Sequence, residues 1–375
     1  MRVLHLPTAT GRHPIGLARA ESASGVHSTS LVVGSNQFRY DADQQLDFSD
    51  ETLLGRWRRR RLLLKSCADQ NDVFHFNFGQ TLSMTGWDLR WLRATGHRVF
   101  MTFQGDDVRP IGSYRGEPGC RVGRSRLSAF LRNRKRAWRV RQACRWCHGV
   151  FSVNPDLLEY VPRAQFVPYA SVDIDQFDPV LPNTSGPIRI GHAPTTRRVK
   201  GTAQVLDAID QASRDHDIEL VLIENLPHEQ AVAKLAQVDL LVDQLIVGFY
   251  GGVAVEAMAF GKPVIAFYHE PDLKYIPPAM AAELPVINAT RSSIGDVLHR
   301  AVAERSTWVN RGIESRRYVQ RWHNPRSIAK AMIKLYRGEA ERFWDVFEHD
   351  ADAAAPTAAA PLPEPKDFSL DRESV

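Results

Sequence analysis

Short apolar runs of four to six residues recur along this chain, each followed by a stretch whose apolar positions return every three or four residues. The first pattern predicts buried strands and the second amphipathic helices. Strands are expected at 2–6, 30–33, 73–76, 99–103 and 150–153, and again at 188–191, 218–223, 239–242 and 263–267. Helices are expected at 15–24, 202–212, 229–237 and 253–260, with 325–336 and 339–347 closing the pattern. Strands apolar on both faces and alternating with helices build a parallel sheet covered on both sides. The stretch Leu181-Pro-Asn-Thr-Ser-Gly-Pro187 interrupts the alternation with turn-forming residues. Two doubly wound α/β units in tandem are therefore expected, 1–180 and 181–322, followed by helices in 323–349. From 350 onward Ala, Pro and acids dominate, with too little apolar bulk to offset chain entropy, so 350–375 is expected to be disordered.

A chain of 375 residues suits two such cores. The opening MRVLHLPTATG carries one Arg and a short apolar run broken at Pro7, which does not read as a signal peptide. No apolar run is long enough to cross a bilayer, and a cytoplasmic protein is expected. Four cysteines argue against a disulfide scaffold. Cys144-Arg-Trp-Cys147-His148 has the spacing of a haem attachment, and with Cys120 it offers zinc-ligand types. No second partner motif accompanies it, and neither a metal nor a redox cofactor is expected.

The net charge is +5, which favours anionic partners. Cations crowd into Arg56–Arg61 and into Arg121–Arg145, a stretch with no acid that includes Arg124, Arg126, Arg132, Arg134, Lys135, Arg136, Arg139 and Arg141. Such a helix either lies on anionic lipid, at the inner face of the cell membrane beside a lipid-linked acceptor, or is a solvated face. No recognition motif for nucleic acid accompanies it, so no nucleic-acid partner is expected.

The densest chemistry lies in 243–265, where a strand ends, a loop with Gly248, Gly251 and Gly252 follows, and a helix then runs to Gly261. Glycines ahead of a helix let backbone N–H groups approach a ligand, and the helix start adds partial positive charge, so a phosphate is the natural guest. Glu256 sits about one turn into that helix, where a carboxylate can accept both hydroxyls of a vicinal diol such as ribose. After the strand at 188–191, Arg197, Arg198 and Lys200 precede Gly201 and Thr202 at a helix start, placing fixed positive charge at the same end of the sheet.

Glu256-Ala257-Met258-Ala259 with Gly261-Lys262-Pro263-Val264-Ile265 resembles the signature of glycosyltransferase family 4 (glycosyl transferases group 1). That resemblance implies the GT-B fold, two Rossmann-like domains facing a cleft, with C-terminal helices returning toward the N-terminal domain. It implies a nucleoside-diphosphate sugar as donor, a saccharide or lipid-linked hydroxyl as acceptor, retention of anomeric configuration and no metal. Glu256 would then hold the donor ribose, Gly251 and Gly252 would face the diphosphate or sugar, and Lys200 with Arg197 or Arg198 would neutralise the leaving group. Glu224 and Asn225 fall where the family meets the nucleotide base. The family's first Glu is Gly248 here, its role passing to Asp243, Gln244 or the backbone of Phe249 and Tyr250.

In the N-terminal half, Gly11 is the position that fits the family's phosphate- or acceptor-facing loop, and His13 is either a cleft or a surface group. Gln104 stands where relatives carry a sugar-contacting His. Asp106, Asp107 and Arg109 are acceptor contacts or an internal ion pair. His75 and Asn77 end another strand, as acceptor-side groups or as buried hydrogen-bonded ones. The likeness covers most of 1–340. Two other classes of function fit the same architecture, a sugar-nucleotide epimerase and a non-catalytic nucleotide-sugar-binding protein.

Overall fold

A computed structural model describes residues 1–34, 39–83, 85–118 and 125–349. The expected disordered tail, Cys120, Arg121 and Arg124 lie outside the described residues. The first half forms one parallel sheet from β1 (Arg2–Leu6), β2 (His27–Val33), β3 (Gln44–Leu46), β4 (Val73–Asn77), β5 (Arg98–Phe103), β6 (Gly149–Ser152) and β7 (Ala164–Phe166). Their order is β3-β2-β1-β4-β5-β6-β7. The second half forms another from β8 (Ile188–His192), β9 (Ile218–Leu222), β10 (Leu240–Val242), β11 (Val264–Ala266) and β12 (Ile287–Asn288), in the order β9-β8-β10-β11-β12 and again parallel. Each order reverses beside the first strand of its unit, between β1 and β4 and between β8 and β10. Doubly wound sheets bind ligands at such switch points, outside the strand C-termini.

The helices of eight residues or more are α1 (His13–Ala23), α2 (Leu53–Ala68), α3 (Trp87–Ala94), α4 (Arg126–Trp146), α5 (Thr202–Ala212), α6 (His228–Ala236), α7 (Gly252–Ala259), α8 (Ile294–Ala303), α9 (Trp308–Trp322) and α10 (Pro325–Arg337) among the described residues. In α7 Ala254, Val255, Ala257, Met258 and Ala259 are all buried, so the helix is apolar nearly all round and needs cover on more than one side. It is covered by α9, which approaches closely enough that a Cβ on Gly312 would lie 2.0 Å from the carbonyl oxygen of Gly261. No residue larger than glycine fits there without moving backbone.

The 339–347 segment is not a helix but a series of turns. Its backbone is engaged elsewhere: the Gln165 side chain on edge strand β7 donates to the Glu341 carbonyl at 2.7 Å and accepts from the Phe343 N–H at 2.7 Å. Phe343, Trp344 and Phe347 then stack among themselves and against Trp322 and Phe166. An aromatic every residue or two is served better by an irregular path over the sheet edge than by one helix face.

α10 packs on α1 of the first half. The Tyr336 hydroxyl meets His75 Nδ1 at 2.5 Å in the buried space between them. The chain therefore passes between the halves twice, and the crossings are neighbours. Arg326, at the head of α10, bonds Asp175 at 2.5 Å, and Arg316 of α9 donates to the carbonyls of Phe177 (2.6 Å) and Ala259. A single apolar cluster runs from Val3, Phe100 and Phe151 through Tyr250 and Met258 to Tyr318 and Met332, joining the two sheets.

One buried cation works against this core. Lys262 is 2% exposed; burial lowers its pKa to about 8, with partial relief from Asp239. The folded state disfavours the ammonium, so the cost is fully present below about 8 and fades as pH rises from there to the ordinary 10.5. Lys262→Met should stabilise the protein at neutral pH by about 3 kcal/mol, read as a higher melting temperature. The gap to the parent chain should close between those two pH values; a gap independent of pH would mean that Lys262 is not the cause.

Candidate functional site

The site is built at the C-terminal ends of β8 and β10. As β8 ends, His192 is clamped between the Val242 carbonyl (2.8 Å) and the Thr202 hydroxyl (2.8 Å). Burial keeps its pKa below the usual imidazole range, so it is a neutral strut joining β8, β10 and α5. The chain then makes one helical turn, Arg197–Lys200, and Gly201 opens α5 at φ 74°. The Lys200 ammonium turns inward to the carboxylate of Asp243, the residue after β10, which is completely buried. The other oxygen of that carboxylate accepts the Gly251 N–H at 2.7 Å. Two donors from separate segments, the cation-bearing turn and the glycine-lined helix start, thus converge on one anion.

Arg197 does not join them: it faces outward and forks onto Glu224 at 2.9 and 2.6 Å. Arg198 and Asn225 are exposed, Asn225 at φ 54°. Gln244 is consumed by its own loop, donating to the carbonyls of Phe249 and Phe267 and accepting from Ile246 and Val247. Tyr250, expected to meet the donor through its backbone, has no side chain to offer it. It is fully buried, its hydroxyl 2.9 Å from both the Tyr318 hydroxyl and His323 Nε2, and it anchors the loop to α9.

Glu256 emerges one turn into α7 and meets His228 Nε2, at the head of α6, at 2.7 Å. The Tyr40 ring lies 5.2 Å from that imidazole. On the facing half Arg12 donates to the Ser171 carbonyl of that same half at 3.0 Å from a backbone held at φ 57°, an unusual conformation for a side-chain-bearing residue that clusters at functional sites. Burial lowers the Arg12 pKa against the opposing pull of the Glu256 charge, and burial together with that same charge raises the pKa of Tyr40. Arg12, Tyr40, Ser171 and His228 were not singled out in the sequence. Arg12 lies between the named Gly11 and His13, and no spacing tied it to Glu256. Gly11 and Gly252 face each other: a Cβ on Gly252 would lie 4.0 Å from the Gly11 carbonyl and 3.9 Å from the Ser171 hydroxyl, which is buried and without a hydrogen-bond partner.

Gln104 borders this contact, its Oε1 4.0 Å from the place a Cβ on Gly11 would take and its amide 3.3 Å from Asn77. Asp107 sits beneath, accepting the N–H groups of Gln104 and Gly105; burial raises its pKa to about 6. The acceptor-side role is corrected for three residues: Arg109 and His75 take the internal alternative, and His13 is neither a cleft nor a surface group. Arg109 is buried and forks onto Asp156 at 2.7 and 3.1 Å, an ion pair with a partner other than Asp107. His75 is enclosed between Tyr336 and the Thr102 hydroxyl (2.7 Å). His13 is buried too, its Nδ1 accepting the Ala170 N–H at 3.0 Å, with a pKa lowered by burial to about 3 that keeps it neutral. Asp106 stays half exposed, between Arg109 (3.2 Å) and the Tyr114 hydroxyl (3.0 Å).

Gly248 has its own explanation. A short antiparallel ribbon, Ser113–Tyr114 with Glu117–Pro118, extends from the first half onto the loop of the second. The Gly116 N–H donates to the Ile246 carbonyl at 2.8 Å, Glu117 pairs with Arg291 at 3.1 Å, and Arg115 forks onto Asp272 at 2.8 and 3.0 Å while also pairing with Glu159. The Arg115 stem fills the space a side chain at 248 would need: a Cβ there would lie 2.8 Å from Arg115 Cγ, and Gly248 has φ 107°. Gly248→Ala should therefore cost about 1–2 kcal/mol of stability from strain and crowding together. Arg115→Ala in the same chain should relieve the crowding part, giving a favourable coupling in a double-mutant cycle; strictly additive losses would disprove the contact.

No family model matches the chain, and a search of curated proteins finds no match to its sequence. Solved structures do match it over nearly full length. Sucrose-phosphate synthase from Thermosynechococcus elongatus is 17% identical over 90% of this chain and 99% of that chain, with a TM-score of 0.62. The catalytic domain of starch synthase IV from Arabidopsis thaliana, bound to ADP and acarbose, is 13% identical over 91% of this chain and 100% of that one, with a TM-score of 0.60. HepE from Anabaena in complex with UDP-glucose is 12% identical over 90% and 98%, with a TM-score of 0.56. These likenesses establish the fold, two Rossmann-like domains in the GT-B arrangement.

Proposed function

We propose that this protein is a family 4 glycosyltransferase that moves a sugar, with retention, from a nucleoside-diphosphate donor to a saccharide or lipid-linked hydroxyl in the cytoplasm. The observation that carries the reading is the convergence of the Lys200 ammonium and the Gly251 N–H on a single anion at the β8/β10 switch point. Similar folds bound to ADP and to UDP-glucose support the same class of donor.

The chemistry follows from charge. When the bond between the sugar's anomeric carbon and the diphosphate oxygen breaks, negative charge builds on the leaving oxygen. Positive charge and a helix start held beside that oxygen stabilise it. Lys200 supplies the cation, oriented by Asp243, and the start of α7 at Gly251 and Gly252, held in place by the bond from the Gly251 N–H to Asp243, supplies the dipole. Arg198, and Arg197 once it swings from Glu224, add charge at the rim. These groups meet the diphosphate's charge without calling on a metal. Glu256 positions the ribose, with His228 beside it. Glu224 and Asn225 edge the base, and Gly11 and Gln104 close the sugar side from the other domain. The closed cleft limits hydrolysis of the donor.

Removing Lys200 has two separable effects. Lys200→Ala should lower turnover by about 10²–10³, and it should also lower the melting temperature, because the buried Asp243 charge loses its partner. Adding Asp243→Asn should restore the melting temperature and leave turnover low. Full turnover of the Lys200→Ala chain with every nucleotide sugar it uses would refute the reading, as would release of a free isomerised sugar nucleotide as the only product. Glu256→Ala should raise the donor KM at least about tenfold with the fold unchanged, measured by diphosphate release across a donor panel.

A further inference from the structure

We infer that the face formed by α2 and α4 docks on an anionic lipid bilayer. Seven large hydrophobic side chains are exposed on these two helices: Leu53, Leu54, Trp57 and Leu62 on α2, and Leu127, Phe130 and Leu131 in the first turns of α4. Leu53 and Leu54 are each 74% exposed and Leu127 68%. In α2 Leu64 and Cys67 are buried and Leu63 and Ala68 pack against the same core, so Leu53, Leu54, Trp57 and Leu62 are the apolar residues left to solvent. An apolar patch of this size marks a contact with something other than water.

The same helices carry six cations on α2 and eight on α4, and no carboxylate. Glu51, just before α2, pairs with Arg59 at 2.9 Å. Removing those fourteen from the chain's forty-eight cations leaves thirty-four against forty-three acids, so the rest of the molecule is net negative and the excess positive charge belongs to these two helices. The two helices are joined by adjoining grooves: Arg60 of α2 lines both, with Trp57 and Trp87 in one and Lys135, Trp138 and Arg139 in the other. Arg61 stands over the rings of Trp57 (5.4 Å) and Trp87 (5.7 Å), and Arg134 over Phe130 (5.7 Å).

Leucines at helix starts, aromatics beneath guanidinium groups and cations alongside match the boundary between acyl chains and phosphate headgroups. A second copy of the chain is disfavoured, because an isologous contact would set fourteen cations against fourteen. Nucleic acid would meet the charge but gain nothing from the exposed leucines. Among the described residues no helix is long and apolar enough to cross a membrane, so the contact is peripheral.

Sedimentation of the full chain with vesicles tests the inference. Vesicles of phosphatidylcholine with about a third phosphatidylglycerol should bind at least tenfold more protein than phosphatidylcholine alone, and ~0.5 M NaCl should weaken the binding. Two variants of exposed residues, Leu53→Ser with Leu54→Ser, Leu127→Ser and Leu131→Ser, and separately Arg58→Glu with Arg134→Glu and Arg141→Glu, should each reduce binding tenfold or more with unchanged melting temperature. Equal binding to both vesicles, binding to neither, full binding by the leucine variant, or retention on an oligonucleotide in place of vesicles would each overturn it. Stabilisation by UDP and ADP, measured on the same preparations, reports the donor site separately. Loss of vesicle binding with that stabilisation intact defeats the bilayer inference alone.

Discussion

The buried carboxylate of Asp243 is the constraint on which the site depends. A charge with no access to water must be met by donors or it costs several kcal/mol. Asp243 is met by the Lys200 ammonium and the Gly251 N–H. These come from either side of β10, so satisfying one carboxylate fixes the turn after β8 against the start of α7. Everything further out inherits that register: Glu256 one turn along α7, His228 against it, and Gly252 facing Gly11 across the cleft. The loop between Asp243 and Gly251 is held independently by Gln244, whose amide serves four backbone groups.

Much of the fold was legible because its information is local. The helix at 202–212 and the strand at 2–6 fall where the apolar periodicity places them, and the glycine loop before α7 announces a helix start in a run of a few residues. Roles that depend on distant partners were not legible. His75, Arg109, His13 and Tyr250 are polar residues near strand ends, which is where cleft residues also lie. What decides between cleft and core is whether Tyr336, Asp156, Ala170 or Tyr318 arrives to meet them, and those partners lie 47 to 261 positions away along the chain, separations that no local spacing records. The same holds in reverse for Arg12 and Tyr40, whose relation to Glu256 exists only once two domains face each other.

The 339–347 segment and α2 show the limit of periodicity itself. In the first, an amphipathic spacing became turns because one glutamine on an edge strand offered better partners to its backbone. In the second, a helix formed with half of its apolar residues turned to solvent and the inward ones confined to its last turns, so no stripe along its whole length was there to be read. Charge is segregated in the same spirit. The cations of α2 and α4 lie on helices of the first domain, whereas Lys200, Arg197 and Arg198 line the end of the second sheet.

The paired crossings of the chain near Asp175 and Arg326 restrict how the halves can move. Two covalent passages lying side by side behave as an axle: one lobe can turn against the other, but neither can slide away. Widening the cleft then leaves Arg316 and Arg326 on their carbonyl and carboxylate partners and falls on the ribbon instead, where Arg115, Gly116 and Glu117 must let go of Asp272, Ile246 and Arg291. The ribbon is thus the clasp of the molecule, and the ease with which it unfastens governs how often the interior is open to exchange.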